Sequence, residues 1–158
     1  MGDDATGAVV IAAETADQPE VRSLLAQSDA YFASLYPAES NHLVDIATLC
    51  APRVRFLVAR LGTTAVGCGA LVLGPPGEAE IKRMFVAPRA RGLRIGRQIL
   101  EALEATARAE GVRVIRLETG IRQPEALQLY RSSGYAERGP FGSYQPDPLS
   151  AFFEKRFG

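Results

Sequence analysis

Four arginines stand between an apolar run and a helical pattern, and they form the strongest chemical signal in this chain. They are Arg89, Arg91, Arg94 and Arg97, interleaved with Gly92 and Gly96. A helix N-terminus has unpaired N–H groups and a partial positive charge, so it normally attracts acidic side chains. No acidic residue occurs here before Glu101. Because arginines bind phosphate oxygens and glycines let the backbone approach a ligand, the pattern predicts a phosphate site.

Two other phosphate-binding motifs do not fit this stretch. A P-loop requires Gly-Lys followed by Ser or Thr, which the sequence lacks. A dinucleotide fingerprint requires GxGxxG, and the spacing from Gly92 to Gly96 does not match it. A solvated basic helix start is the plain alternative, but four arginines with two glycines favour an anion site.

The composition is that of an ordinary globular protein, with 47% hydrophobic and 23% charged residues among 158. This length predicts a single domain over residues 1–158. The formal net charge is zero, so we expect neither nucleic acid nor an anionic membrane as a partner.

Processing and cysteine signals are weak throughout. No stretch reaches the roughly 20 apolar residues of a membrane span, and the N-terminus lacks the basic start of a signal peptide. Cys50 and Cys68 show no metal-ligand spacing. We therefore expect a cytoplasmic protein with no disulfide and no metal.

Hydrophobic periodicity and turn residues predict the elements that position the arginines. Predicted strands cover residues 8–13, 55–61, 65–73, 78–86, 112–118, a segment from 135 onward, and 150–157. Predicted helices cover residues 17–35, 44–50, 92–110 and 124–134. Tight turns make the three central strands antiparallel, whereas the crossing helix makes the strands at 78–86 and 112–118 parallel. The fold class is therefore α/β (α+β) with a mixed sheet, in which Gly67 and Gly69 indicate a bulge or a close approach.

Val86-Ala87-Pro88 followed by residues 91–96 resembles the pyrophosphate-binding signature of the GNAT N-acetyltransferase superfamily. In that signature Arg91 fits the first position and Gly96 the last, while Arg94 stands where a glycine is usual. The resemblance implies acetyl-CoA as cofactor and a GNAT-like fold. The coenzyme A-binding residues that it implies are Met84, Phe85, Val86, Arg91, Gly92, Leu93, Arg94, Ile95, Gly96, Arg97, Gln123 and Tyr130.

A second stretch, residues 117–135, also resembles this family, which usually has a strand, an Asn, Ala-x-x-x-Tyr and then Gly-Phe or Gly-Tyr. Gln123 stands at the Asn position, and Tyr130 matches the tyrosine that lies near the coenzyme A sulfur in many members. A phenol can protonate a departing thiolate, so the resemblance implies Tyr130 as general acid. Without it, Tyr130 would be interpreted as a core aromatic residue.

Glu80 is the predicted general base. It lies six residues before Val86, a spacing similar to that of the catalytic glutamate in the histone acetyltransferase branch of the superfamily. Even offsets place Glu80, Lys82, Met84 and Val86 on one face of a strand. The alternative is a solvated Glu80 paired with Lys82 or Arg83, and Glu78 and Glu118 are reserve candidates for the base.

Two loops are predicted to contact the acceptor, the molecule that receives the acetyl group. The first, residues 37–45, contains Glu39 and His42, and the second, residues 140–148, contains Tyr144 and Asp147. The acceptor class is a small-molecule or peptide amine. Edge strands in this fold often pair, so a homodimer stays an open alternative.

The resulting hypothesis is an acetyl-CoA-dependent N-acetyltransferase in which an amine attacks directly in a ternary complex. Two alternatives remain beside it. One is a non-catalytic acyl-CoA-binding module with a sensor or regulatory role. The other is a nucleic-acid-binding protein, which the zero net charge and the lack of interleaved aromatics disfavour.

Overall fold

The computed structural model describes residues 8–157 and contains seven strands and four α-helices. The strands are β1 (Val9–Ala13), β2 (Val54–Leu61), β3 (Thr64–Leu73), β4 (Glu78–Val86), β5 (Val114–Gly120), β6 (Ala136–Arg138) and β7 (Ser150–Arg156). The helices are α1 (Pro19–Leu35), α2 (Ile46–Leu49), α3 (Ile95–Ala109) and α4 (Pro124–Ser132). The strands form one sheet in the order β1-β2-β3-β4-β5-β7-β6. None of these helices, within residues 8–157, is long and apolar enough to cross a membrane.

Strand directions confirm the predicted mixed sheet. β4 and β5 are parallel, and the other neighbouring strands in the sheet are antiparallel. The parallel pair is short, because β4 and β5 share only the four residue pairs from Glu78↔Val114 to Ile81↔Leu117. Beyond Ile81 and Leu117 the two strands separate, and this opening becomes the site.

The sheet carries a hydrophobic core on each face. On one face, Ile99 and Leu103 of α3 and Tyr130 of α4 pack against β-strand residues that include Ile81 and Ile115. On the other face, the buried residues of α1 and α2 pack against a second set of strand side chains. Their buried members on the helices are Val21, Leu24, Leu25, Phe32 and Leu49. The helices therefore cover both faces and leave the opening between β4 and β5 accessible.

Helix α3 starts three residues later than the sequence predicts. Residues 88–90 form a 3₁₀ turn, and Arg94 is the N-cap residue with a left-handed φ of 59°. Gly92 also has a positive φ, 89°, so the chain between the turn and the helix uses two left-handed residues. The predicted C-terminal stop is confirmed, because Gly111 follows the helix with a φ of 79°.

A β-bulge in β4 changes which side chains share a face. Cys68 pairs with Phe85 but Ala70 pairs with Lys82, so β4 has one extra residue opposite Gly69. Arg83 occupies the bulge with a φ of 61°. A Cβ atom at Gly69 would lie 2.9 Å from Ile99 Cγ2, so the close approach predicted from the glycines is confirmed.

The bulge makes the predicted common face of Glu80, Lys82, Met84 and Val86 wrong. Met84 and Val86 pack against the core beneath α3, whereas Phe85 lies in the core beneath α1. Lys82 precedes the bulge and contacts His42 and Tyr144 instead. An inserted residue reverses the alternation of side chains beyond it.

Candidate active site

A cleft of about 610 Å³ occupies the opening between β4 and β5. Its walls come from the end of α1, residues 40–43, the second half of β4, residues 90–97, the end of β5, and α4. Because β4 and β5 pair only as far as Ile81 and Leu117, the backbone groups of the two strands beyond that point are not paired with each other. An elongated ligand could therefore both fill the cleft and pair with backbone.

Residues 89–97 are here called the arginine loop, and most of them, from Ala90 onward, line one wall of the cleft. Arg91 stacks on the Tyr31 ring at 5.0 Å and its Nε donates to the Val86 carbonyl at 3.4 Å. Arg97 donates to Ser132 Oγ at 2.8 Å. None of the loop arginines forms an ion pair with a carboxylate among residues 8–157. The charge of the loop is thus left for a ligand.

The N-terminus of α3 adds backbone donors to the same wall. Its first-turn N–H groups have no partner inside the helix, and Arg94 supplies no side-chain cap. Arg91, Arg94 and Gly96 line the cleft beside these groups. Leu93, which the resemblance implies as a coenzyme A-binding residue, does not line the cleft and is 49% exposed.

These features fit the cofactor that the sequence implies. The arginine loop and the helix N-terminus match a pyrophosphate. Within the described residues, β5 pairs with β4 only as far as Ile81, so the β4 edge near Phe85 and Val86 is open to an amide-containing arm. Met84, Phe85 and Val86 all line the cleft.

Tyr130 faces the cleft from α4. It is 4% exposed and its ring lies 5.9 Å from that of Tyr135 and 6.0 Å from that of Phe153. Burial, and secondarily the charge of Glu118, raise the pKa of Tyr130 above its usual value. No hydrogen bond of the Tyr130 hydroxyl occurs within residues 8–157, so the proton stays available to a ligand.

Glu118 lines the same cleft from the end of β5. Ser150 Oγ donates a hydrogen bond to its carboxylate at 2.7 Å. Burial raises the pKa of Glu118, and the Ser150 hydrogen bond and the charges of His42 and Lys82 oppose this rise. A carboxylate in this condition can accept a proton near neutral pH more readily than an exposed one.

Glu80 is close to the cleft but does not line it. Its carboxylate accepts a hydrogen bond from Tyr144 at 2.5 Å, and Lys82 Nζ lies 3.4 Å away. Lys82 also donates to the Tyr144 hydroxyl. Glu80 is therefore already engaged by two neighbours, whereas Glu118 opens directly into the cleft.

The two predicted acceptor loops meet at this end of the cleft. Ser40 Oγ donates to Asp147 Oδ2 at 2.7 Å, and the His42 and Tyr144 rings lie edge to face at 5.1 Å. His42 lines the cleft. Glu39, Tyr144 and Asp147 do not line the cleft. Asp147 and Tyr144 instead support the loop of residues 37–45 through their contacts with Ser40 and His42.

Sequence reasoning missed Tyr36, which closes this end of the cleft. Its hydroxyl donates to Gln123 Oε1 at 3.1 Å and accepts from the Arg122 N–H at 3.0 Å. No local pattern marks it, because residue 36 follows a helix and its partners lie 86 and 87 positions away. Gln123 and Tyr36 both line the cleft.

Known proteins are similar to this chain in sequence and in architecture. Residues 20–135 match the family model described as acetyltransferase (GNAT) family. The chain is 53% identical over 148 residues to an IAA acetyltransferase from Azospirillum brasilense, covering 93% of this chain and 97% of that protein.

Solved structures agree in fold. A Klebsiella pneumoniae protein provisionally described as an acyl-CoA N-acyltransferase has a TM-score of 0.79 and 38% identity, covering 94% of this chain and 97% of that chain. The PaiA N-acetyltransferase from Thermoplasma acidophilum, solved with coenzyme A, has a TM-score of 0.70 and 16% identity, covering 95% and 99%. The chain belongs to the GNAT acetyltransferase family.

Proposed function

We propose that this acetyl-CoA-dependent acyltransferase transfers the acetyl group to a primary amine, which attacks directly in a ternary complex. The observation that supports this most is the meeting of the arginine loop, Tyr130 and Glu118 around one cleft. Bound acetyl-CoA supplies a thioester whose carbonyl carbon the amine attacks. The remaining work falls to side chains and backbone of the chain itself.

The arginine loop and the N-terminus of α3 hold the pyrophosphate. The open edge of β4 at Phe85 and Val86 pairs with the amide-containing arm. An N–H group near Val86 polarises the carbonyl that is attacked, as fixed backbone donors do in other acyl transfers. Together these contacts place the reacting carbon between Glu118 and Tyr130.

Glu118 takes the proton that the attacking amine loses. The sequence predicts Glu80 as the general base, with Glu118 as a reserve candidate. We assign the role to Glu118 because it lines the cleft, whereas Glu80 accepts a hydrogen bond from Tyr144 and lies beside Lys82. The raised pKa of Glu118 suits it to this role.

Tyr130 gives its proton to the sulfur that leaves. Tyr130 lines the same cleft as Glu118, and its raised pKa keeps its hydroxyl protonated at neutral pH. Tyr130 thereby ends deprotonated and Glu118 protonated, and one proton passed through solvent restores both.

The proposal is tested by following thiol release from acetyl-CoA with a panel of primary amines, and with IAA because the Azospirillum relative is named for it. The acidic limb of the pH profile of kcat/KM reports the pKa of the general base and so identifies it. We expect Glu118→Gln to lower kcat by roughly 10²–10⁴ and to flatten that limb. The matched variant Glu80→Gln should retain the limb.

Tyr130→Phe serves as the control for the acid. It should lower kcat more than it weakens acetyl-CoA binding, and it should leave the acidic limb in place. If Glu118→Gln keeps a normal acidic limb and Glu80→Gln loses it, the base is Glu80. If no amine in the panel causes thiol release from acetyl-CoA, amine acetylation is excluded as the activity.

A further inference from the structure

Gln123 occupies the position where the resemblance leads us to expect an Asn, and its longer side chain has more freedom. It is the N-cap residue of α4, but its side chain makes no capping hydrogen bond. Instead its Oε1 accepts from the Tyr36 hydroxyl at 3.1 Å. The side chain is thus held by Tyr36, the residue that follows α1.

The hydrogen bonds of the Tyr36 hydroxyl fix the orientation of the Gln123 amide. The Arg122 N–H is a donor and can only donate to the hydroxyl oxygen, at 3.0 Å. The hydroxyl proton then needs an acceptor, and the Gln123 oxygen is the acceptor in reach. The amide NH₂ of Gln123 is consequently turned away from Tyr36. Because Gln123 lines the cleft, the NH₂ is left as a donor there.

Tyr36 is itself firmly held. It is 7% exposed, and a Cβ atom built on Gly120 would lie 2.0 Å from its hydroxyl oxygen. The Arg122 guanidinium lies 6.0 Å from the ring and donates to the Leu35 carbonyl. The ring therefore packs directly on the β5 backbone, in a place that only glycine leaves open.

We propose that Tyr36 is a positioning residue that orients Gln123, so that the Gln123 NH₂ donates to a carbonyl of the pantetheine arm of acetyl-CoA. The inference rests on the arm lying along β4, as in the proposed function. Tyr36 compensates for the extra methylene of Gln123 by fixing the end of the side chain.

The test measures affinity, independently of turnover. Calorimetry gives the dissociation constants of acetyl-CoA and of adenosine 3′,5′-bisphosphate, which lacks the pantetheine arm. Tyr36→Phe keeps the ring and removes the hydroxyl, and Gln123→Ala removes the amide. Each should weaken acetyl-CoA about tenfold, as expected for one hydrogen bond, and leave the bisphosphate unchanged. The double variant should lose little more than either single variant.

Tyr135→Phe is the matched control. It removes another buried hydroxyl, which donates to Glu104 at 2.8 Å outside the cleft, so both affinities should stay as in the parent. Equal weakening of both ligands in Tyr36→Phe, unchanged acetyl-CoA affinity, or additive losses in the double variant would overturn the inference. A parent protein that binds acetyl-CoA normally but acetylates no amine would remove the proposed acceptor chemistry and leave this inference standing.

Discussion

Backbone strain is concentrated at the cleft. Among residues 8–157, the non-glycine residues with positive φ are Arg83 and Arg94, and both line the cleft. Arg83 is also 8% exposed and is held by Asp29 and by the Val44 carbonyl. Left-handed backbone costs a non-glycine residue roughly 1–2 kcal/mol. Such costs are typical of sites where a side chain is needed in that place.

Replacing Arg94 separates its backbone cost from its charge. Arg94→Gly relieves the left-handed conformation, whereas Arg94→Ala keeps it, and both remove the guanidinium. We expect the Gly variant to be more stable than the Ala variant by about 1 kcal/mol in urea denaturation. Both should bind acetyl-CoA about tenfold more weakly, since one charge-assisted contact is lost. Equal affinity in parent and variants would mean that only the backbone at this position contributes to binding.

At the scale of elements, most boundaries were predictable because they depend on local chemistry. Turn glycines and prolines mark the hairpins, and the arginines mark the loop before α3. Gly67 and Gly69 predicted a bulge or a close approach in β3, whereas the extra residue opposite Gly69 lies in β4, whose strand pattern continues through Arg83 without a break. The contact of Tyr36 with Gln123 was also missed, and Glu118 was only a reserve candidate for the base, because the residues around each are brought together only by the packed sheet.

Glu154 of β7 joins three strands through its carboxylate. It pairs with Arg116 of β5 at 2.8 Å, Arg138 of β6 at 2.6 Å, and Arg156 of its own strand at 2.9 Å. Arg116 first, and then Arg138 and Arg156, lower the pKa of Glu154 to about 2. A lowered carboxyl pKa stabilises the fold above the ordinary value of 4.5, and this contribution is lost as the pH falls from there to about 2.

Glu154→Gln should therefore reduce the free energy of unfolding by about 2 kcal/mol at pH 7, after allowance for solvent screening. The difference from the parent should shrink steadily below pH 4.5 and vanish near pH 2. Urea denaturation across this range measures it. Glu101→Gln, at an exposed position of α3, is the control and should track the parent at every pH. A pH-independent difference for Glu154→Gln would point to lost packing instead of lost charge.

At the scale of the whole molecule, the sheet consists of two parts joined by four residue pairs between β4 and β5. One part contains β1 to β4 and the other contains β5, β7 and β6. The cleft lies where they separate, so a ligand in it contacts both parts at once. Binding there therefore stabilises the two parts of the sheet in their joined position, and with them the whole fold.

Acetyl-CoA should consequently raise the melting temperature. At 100 times its dissociation constant, a ligand that binds only the folded state stabilises it by about 2.7 kcal/mol. For a chain of this size that corresponds to about 5–10 °C. Differential scanning fluorimetry with acetyl-CoA, and with NADH and ATP as controls, measures the shift. An equal shift with all three compounds would show that the arginine loop binds phosphates without recognising the pantetheine arm.

The bulge opposite Gly69 also bears on how this chain can change over generations. Deleting Arg83 would leave Met84 opposite Gly69 and Phe85 opposite Cys68, as in a regular ladder. Both hydrophobic cores would then keep their residues, and only the contacts of Arg83 with Asp29 and the Val44 carbonyl would be lost. A lineage can therefore gain or lose this extra residue in one step, and what such a step adds or removes is an anchored guanidinium at the cleft.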